Sequence, residues 1–153
     1  MYTISYYFTR LKASIFKIFH LGLFKGVILF DYPRVIHSND LIIGKETRIN
    51  SNVFINAEGK VIIGENVTLS HGATILSTGY DLNNWKSNQL EKKHISKPII
   101  IEDNVWIGAN VTVLSGVKIA KGVVIAAGSV VTKNLECSNA LYAGIPARKI
   151  KDL

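Results

Sequence analysis

From residue 41 onward, aliphatic residues recur at every sixth position. One run is Ile43, Ile49 and Ile55, and a second is Ile63, Leu69 and Ile75. A third starts at Ile101 and continues through Ile107, Val113, Ile119 and Ile125 to Val131. Three residues beyond these positions stand Asn52, Asn66, Asn104, Asn110 and Asn134, and Gly72, Gly116, Gly122 and Gly128. Asn and Gly enter left-handed backbone most cheaply, so these mark corners. The next residue is small or β-branched in most repeats, as at Thr47, Val53, Ala73, Val111 and Ser129. A period of six fits neither a helix nor a simple alternating strand. It fits a short strand, a tight corner and another short strand. Three such units close an 18-residue triangular coil, and stacked coils make an all-β solenoid, the parallel β-helix.

The register locates the irregularities. Ile101 and Ile119 are 18 residues apart, one clean coil. Ile43 and Ile63 are 20 apart, which places two extra residues near Ala57–Lys60. Ile63 and Ile101 are 38 apart, so an excursion loop at about residues 77–97 leaves the coil and returns. The ladder is core and the Asn and Gly positions are corners; the repeat by itself speaks for fold and says little of chemistry.

Residues 1–35 carry no such repeat. Ile4, Phe8, Leu11, Ile15 and Ile18 recur at helical spacing, with Arg10, Ser14 and Lys17 on the other side. This predicts an amphipathic helix, followed by an apolar stretch from Leu21 to Phe30. Two roles are open for it: a cap over the end of the solenoid, which such folds need, or a basic interfacial segment with a peripheral membrane contact through residues 1–30. The expected division is therefore residues 1–35, a helical cap or interfacial segment, and residues 36–153, the β-helix with its C-terminal tail.

Composition narrows the class. In 153 residues, 48% hydrophobic and 19% charged, there is material for one packed domain and none of the bias of a disordered chain. The net charge of +7 suits a phosphate-bearing partner. The basic residues are dispersed, with no aromatic-interleaved basic run, so no nucleic-acid partner is expected. The lone Cys137 forms no internal disulfide, no secretory signal is visible, and no apolar run reaches the length of a membrane span. A cytoplasmic protein is the expectation, with peripheral attachment at the inner membrane surface as its variant.

The segments IIGENVTLSHGATIL, IEDNVWIGANVTVLSGVKIAKGVVIAAGSVVTKNL and YAGIPARKI resemble the hexapeptide-repeat acyltransferases. Across residues 41–151 the chain is most similar to the maltose and galactoside type of sugar O-acetyltransferase. The resemblance implies a left-handed coil and a homotrimer with active sites between subunits. It implies acetyl-CoA as donor substrate, a sugar or glycan hydroxyl as acceptor, no metal, and a place in surface polysaccharide biosynthesis. It implies that a histidine takes the hydroxyl proton as general base.

Carried over position by position, the resemblance places Asn50 near the acetyl and acceptor groups and Glu58 on acceptor hydroxyls. Trp106 of VWIG stands near the thioester. Ala109, Ala127, Thr132 and Lys133 line the coenzyme channel, and Arg148 and Lys151 face its phosphates. The family's histidine position is held by Tyr80, followed by Asp81. His94 is the preferred replacement. It lies in the excursion loop shortly before re-entry at Pro98, and the loop's ends join neighbouring coils about 4.8 Å apart, which brings it near Tyr80. Trp85, in DLNNW, belongs to the same loop. His71, outward on its coil, is the second candidate, and an arrangement of Tyr80 and Asp81 is the third. His20 and His37 fall outside the repeats. Other readings stay open at this point: a non-catalytic coenzyme- or glycan-binding protein, an N-acetyltransferase acting on an amino sugar, or a zinc hydratase, which needs about three histidines per site.

Overall fold

A computed structural model describes residues 4–83, 85–88 and 91–153. Short strands stack into a three-sided parallel β-solenoid. The first face holds Ile28–Leu29, Arg48–Ile49, Thr68–Leu69, Trp106–Ile107, Val124–Ile125 and Ala140–Ala143 in that order, and Arg148–Asp152 closes its edge antiparallel. The second face holds Arg34–Ile36, Phe54–Asn56, Thr74–Leu76, Thr112–Val113 and Val130–Val131. The third holds Leu41–Ile43, Val61–Ile63, Ile99–Ile101 and Lys118–Ile119. The ladder fills the interior: Ile49, Ile55, Leu69, Ile75, Ile107, Val113 and Ile119 are all fully buried. Ile43 alone of the ladder is only partly buried.

The corners behave as their residues dictate. Asn52, Asn66, Asn104 and Asn110 and the glycines 72, 116, 122 and 128 have positive φ. Asn134 does not share it; its Oδ1 accepts from the Lys118 N–H at 2.9 Å instead. Glu46 takes the left-handed conformation (φ 60°) although nothing in its identity announces it.

The solenoid begins ahead of residue 36. Ile28 pairs with Arg48 and Arg34 with Phe54, so Ile28–Ile43 form a complete first coil, and His37 belongs to it. The six-residue count misses this coil because Asp31, Tyr32 and Pro33 hold the corner where later coils carry Asn or Gly.

The N-terminal helix α1 (Ile4–Phe19) forms as the spacing predicts, but its orientation is the reverse of an ordinary amphipathic helix. The Ile4 side chain lies outside the described set. Phe8, Leu11, Ile15 and Ile18 are exposed, and the side bearing Ala13, Phe16, Arg10 and Lys17 meets the solenoid. The reason is hydrogen bonding. Ile28 and Phe30 aim their N–H groups at the next coil, at Thr47 O and Ile49 O. Alternation along a strand then turns the carbonyls of Val27 and Leu29 out of the open end. Arg10 Nη1 donates to Leu29 O at 2.9 Å and Lys17 Nζ to Val27 O. The cationic side of α1 thus covers an edge that would otherwise be left unpaired. No helix among the described residues is long and apolar enough to cross a membrane.

Candidate functional site

In the first three coils the insertions enter at one place, the corner between the second and third faces. His37–Asp40 occupy it in the first coil, Ala57–Lys60 in the second, and the excursion in the third. The excursion leaves as the strand Thr78–Tyr80 and returns antiparallel as His94–Ser96. The register sets His94 directly opposite Tyr80. Their rings meet edge to face with centroids 4.7 Å apart, and Trp85 stands 6.2 Å beyond Tyr80. The Asp81 N–H donates to Lys93 O at 2.8 Å, and the Asp81 carboxylate accepts from the Asn83 N–H at 2.9 Å, which fixes the turn. Tyr80, Asp81, Trp85 and His94 therefore form one cluster.

Glu58 joins this corner. A side chain at Gly59 would meet Ser77 O at 2.6 Å and Lys97 N at 2.7 Å, so the Glu58–Gly59 turn lies against both roots of the hairpin. The Gly59 N–H donates to Ser77 Oγ at 2.8 Å. Thr132 and Lys133 follow Val131 on the same edge of the prism, lower in the stack and exposed.

The corner between the first and second faces collects a different set. Asn50 Nδ2 donates to Leu69 O at 3.0 Å. Ser51, His71, Ala109 and Ala127 stand in successive coils, linked by Gly72 N–H to Ser51 O, Asn110 N–H to His71 O and Gly128 N–H to Ala109 O. Ser51 Oγ and His71 Nδ1 are 2.8 Å apart. This column is built of small residues at its lower end, leaving a shallow track.

On the adjoining first face, register aligns Arg48, Thr68, Trp106, Val124, Leu141 and Lys151 in one outward row. Trp106 is 54% exposed, and its Nε1–H donates to Ser70 Oγ at 3.0 Å. Ser70 is a residue the motif reading does not single out. Its signal is the strand register, because Thr68 pairs with Trp106. Three strand spacings, about 14 Å, separate Trp106 from the closing strand. Arg148 and Lys151 both lie on that strand, where Lys149 is paired with Asp152 at 2.7 Å.

The residues singled out from the sequence thus occupy two places. Trp106, Arg148 and Lys151 on the first face, with Asn50, His71, Ala109 and Ala127 beside it, make one set. Glu58, Tyr80, Asp81, Trp85, His94, Thr132 and Lys133 make the other, one side of the triangle away. A cleft of about 320 Å³ on the third face, lined by Glu102, Lys118 and Asn134, contains neither. No group of three or more His, Cys, Asp or Glu side chains suited to a metal ion occurs among the described residues.

Residues 98–133 match the model of the bacterial transferase hexapeptide (six repeats). Over 128 residues, 82% of this chain, the sequence is 36% identical to galactoside O-acetyltransferase of Escherichia coli (strain K12) and spans 58% of that protein. A maltose O-acetyltransferase from Clostridium difficile 630 is 30% identical, with a TM-score of 0.74 over 84% of this chain and 67% of that one. A hexapeptide-repeat-containing acetyltransferase of Vibrio cholerae O1 biovar eltor, solved in complex with acetyl coenzyme A, is 27% identical. Its TM-score is 0.76, over 99% of this chain and 90% of that one. With its stacked six-residue rungs, its corner-borne hairpin and these relatives, the chain belongs to the hexapeptide-repeat acyltransferases.

Proposed function

We propose that the protein transfers an acetyl group from acetyl-CoA to a hydroxyl of a sugar, with His94 as general base. The observation that carries this reading is the packing of the His94 ring against Tyr80. The resemblance assigns the base to the Tyr80 position, and the antiparallel hairpin supplies an imidazole beside it from the opposite strand. Relatives that are acetyltransferases, one of them holding acetyl coenzyme A, support the donor.

The first face suits that donor. Trp106 offers an exposed indole held by Ser70, and cationic Arg148 and Lys151 lie about 14 Å along the same sheet. A cation beside a phosphate forms a charge-assisted hydrogen bond. The small column of Ala109 and Ala127 leaves room for an extended arm. The acceptor suits the other corner, where Glu58 and Asp81 can take hydrogen bonds from sugar hydroxyls and Trp85 offers a flat apolar surface.

In the reaction the acceptor oxygen attacks the thioester carbonyl carbon while His94 takes the hydroxyl proton. The tetrahedral intermediate collapses, the C–S bond breaks, and the imidazolium returns the proton to the departing thiolate. The two sets of residues lie on different edges of one prism, so a complete site needs a neighbour. A cyclic trimer that sets the hairpin corner of one copy against the first face of the next would join them. A glycan precursor of a surface polysaccharide is the acceptor class this reading expects.

Thiol release from acetyl-CoA, followed with and without a panel of sugars, tests the proposal. His94→Ala should lower kcat/KM by about 10²–10⁴-fold, and His71→Ala by less than about threefold. Full activity in His94→Ala would remove it from the role. Coenzyme binding without turnover on any sugar would leave a binding protein in place of an enzyme.

A further inference from the structure

The exposed side of α1 is the largest feature that acetyl transfer leaves unused. Phe8, Leu11, Ile15, Ile18 and Phe19 all lie on it, and Phe19 is 81% exposed. One turn of an α-helix takes about 3.6 residues, so these five form a continuous stripe opposite Ala13 and Lys17, the side that covers the solenoid. The direction of that stripe follows from the cap. The helix is seated on carbonyls that point out of the open end, and its far side therefore faces along the solenoid axis, away from the lateral faces and corners. Neighbouring copies in a side-by-side trimer would not cover it, and all three stripes would face the same way.

We propose that this end of the molecule docks on an anionic lipid surface, with the solenoid axis standing off the membrane. Charge selects the occupant. The first 30 residues contain Arg10, Lys12, Lys17 and Lys25 and no acidic residue. Arg10 and Lys17 are spent on the cap, while Lys12 is exposed beside the stripe. An aromatic and aliphatic stripe rimmed by lysine is the pattern of a helix lying in the headgroup region. An acceptor carried on a lipid would then meet the hairpin corners from one side.

Co-sedimentation of the full chain with vesicles decides the matter. With phosphatidylcholine vesicles containing about one third phosphatidylglycerol, the chain should pellet, and with pure phosphatidylcholine it should bind at least tenfold more weakly. Leu11→Glu with Ile18→Glu should abolish pelleting while leaving the circular dichroism spectrum and acetyl transfer to a soluble sugar unchanged. Lys12→Glu, a milder variant, should weaken partition by more than about fivefold, since one basic residue near such a surface contributes about that factor. The proposal is overturned if the unaltered chain pellets with neither vesicle, or if the stripe variants pellet like it. It is also overturned if the stripe variants merely convert an end-to-end dimer of trimers into trimers, seen by analytical ultracentrifugation, which would assign the stripe to a second copy.

Discussion

The corner between the first and second faces and the corner between the second and third are built from the same repeat and treated oppositely. At the first, every coil turns in the same few residues, and the backbones of successive coils touch. At Gly108 a Cβ would meet Ile125 O at 2.5 Å and Ala127 N at 2.7 Å. At the second, three successive coils carry additions, two extra residues in each of the first two and then the hairpin that holds His94. The tight corner cannot change in one coil without disturbing the next. The open corner can take a new loop without altering the interior, because its additions leave between Leu76 and Ile99 and the ladder resumes in register. A binding surface shared across many acceptors belongs on the first kind of corner, and one that distinguishes acceptors belongs on the second.

The largest expected effect breaks the tight corner. Gly108→Val places a branched side chain against backbone atoms that cannot rotate away. Denaturant titration should show a loss of more than about 4 kcal/mol, in the range reserved for severe overpacking and strain. A loss below about 1 kcal/mol would mean that the coils slide apart at this corner, and the contrast would fail.

The second test addresses the open corner. Replacing residues 82–92 by a two-residue turn should leave unfolding within about 1 kcal/mol of the parent, since excised surface loops carry little of the core. Acetyl transfer should fall by about 10²-fold or more as Trp85 and the placement of His94 are lost, while coenzyme affinity, read by calorimetry, should change by less than about threefold. A joint loss of both functions would merge the two sites.

These two corners were unequally legible in the sequence. The ladder from Ile49 to Val131 and the corner residues could be read because burial and positive φ each restrict residue choice coil after coil. The first coil escaped because Pro33 and its neighbours turn the chain by another route. The helix was legible as a helix but its facing was not. Hydrophobic periodicity assumes that apolar groups seek the core, whereas here two outward carbonyls, at Val27 and Leu29, needed cationic donors more. His94 could be placed near Tyr80 by loop closure alone, but the exact pairing came from the hairpin register. Ser70 was invisible because its partner, Trp106, lies across the whole excursion in sequence.

A third, smaller effect separates the donor's two ends. Reversing charge at Arg148 and Lys151 together should weaken coenzyme A binding about tenfold at low salt, and the difference should shrink at high salt as exposed charges are screened. The kcat at saturating donor should hold, because neither residue approaches the reacting carbonyl. A matching loss in kcat would place the closing strand nearer the chemistry than its three-strand separation from Trp106 allows.

The smallest effect belongs to the third face, which serves neither corner and so controls for the rest. Glu102 and Lys118 lie in adjacent coils with Oε1 and Nζ 2.9 Å apart. The Lys118 ammonium, and after it the Lys121 N–H, hold the Glu102 carboxyl below the ordinary carboxylate range. A carboxyl with a lowered folded value favours the folded state above its unfolded value, and that contribution fades as pH falls through the folded value. Both groups are exposed, so the gain is slight. In Glu102→Gln the amide oxygen still accepts from Lys121, but the NH2 that then faces Lys118 cannot accept, so the charge and the Lys118 hydrogen bond are lost together. The parent should exceed the variant in denaturant midpoint by a small margin at pH 7. The margin should persist to about pH 5, begin to narrow below about pH 4, where an unfolded glutamate takes up its proton, and fade as the folded carboxyl is protonated in turn. Acetyl transfer at pH 7 should be the same in both. A margin that stays constant across that range would show that packing along the third face, rather than the ion pair, links these coils.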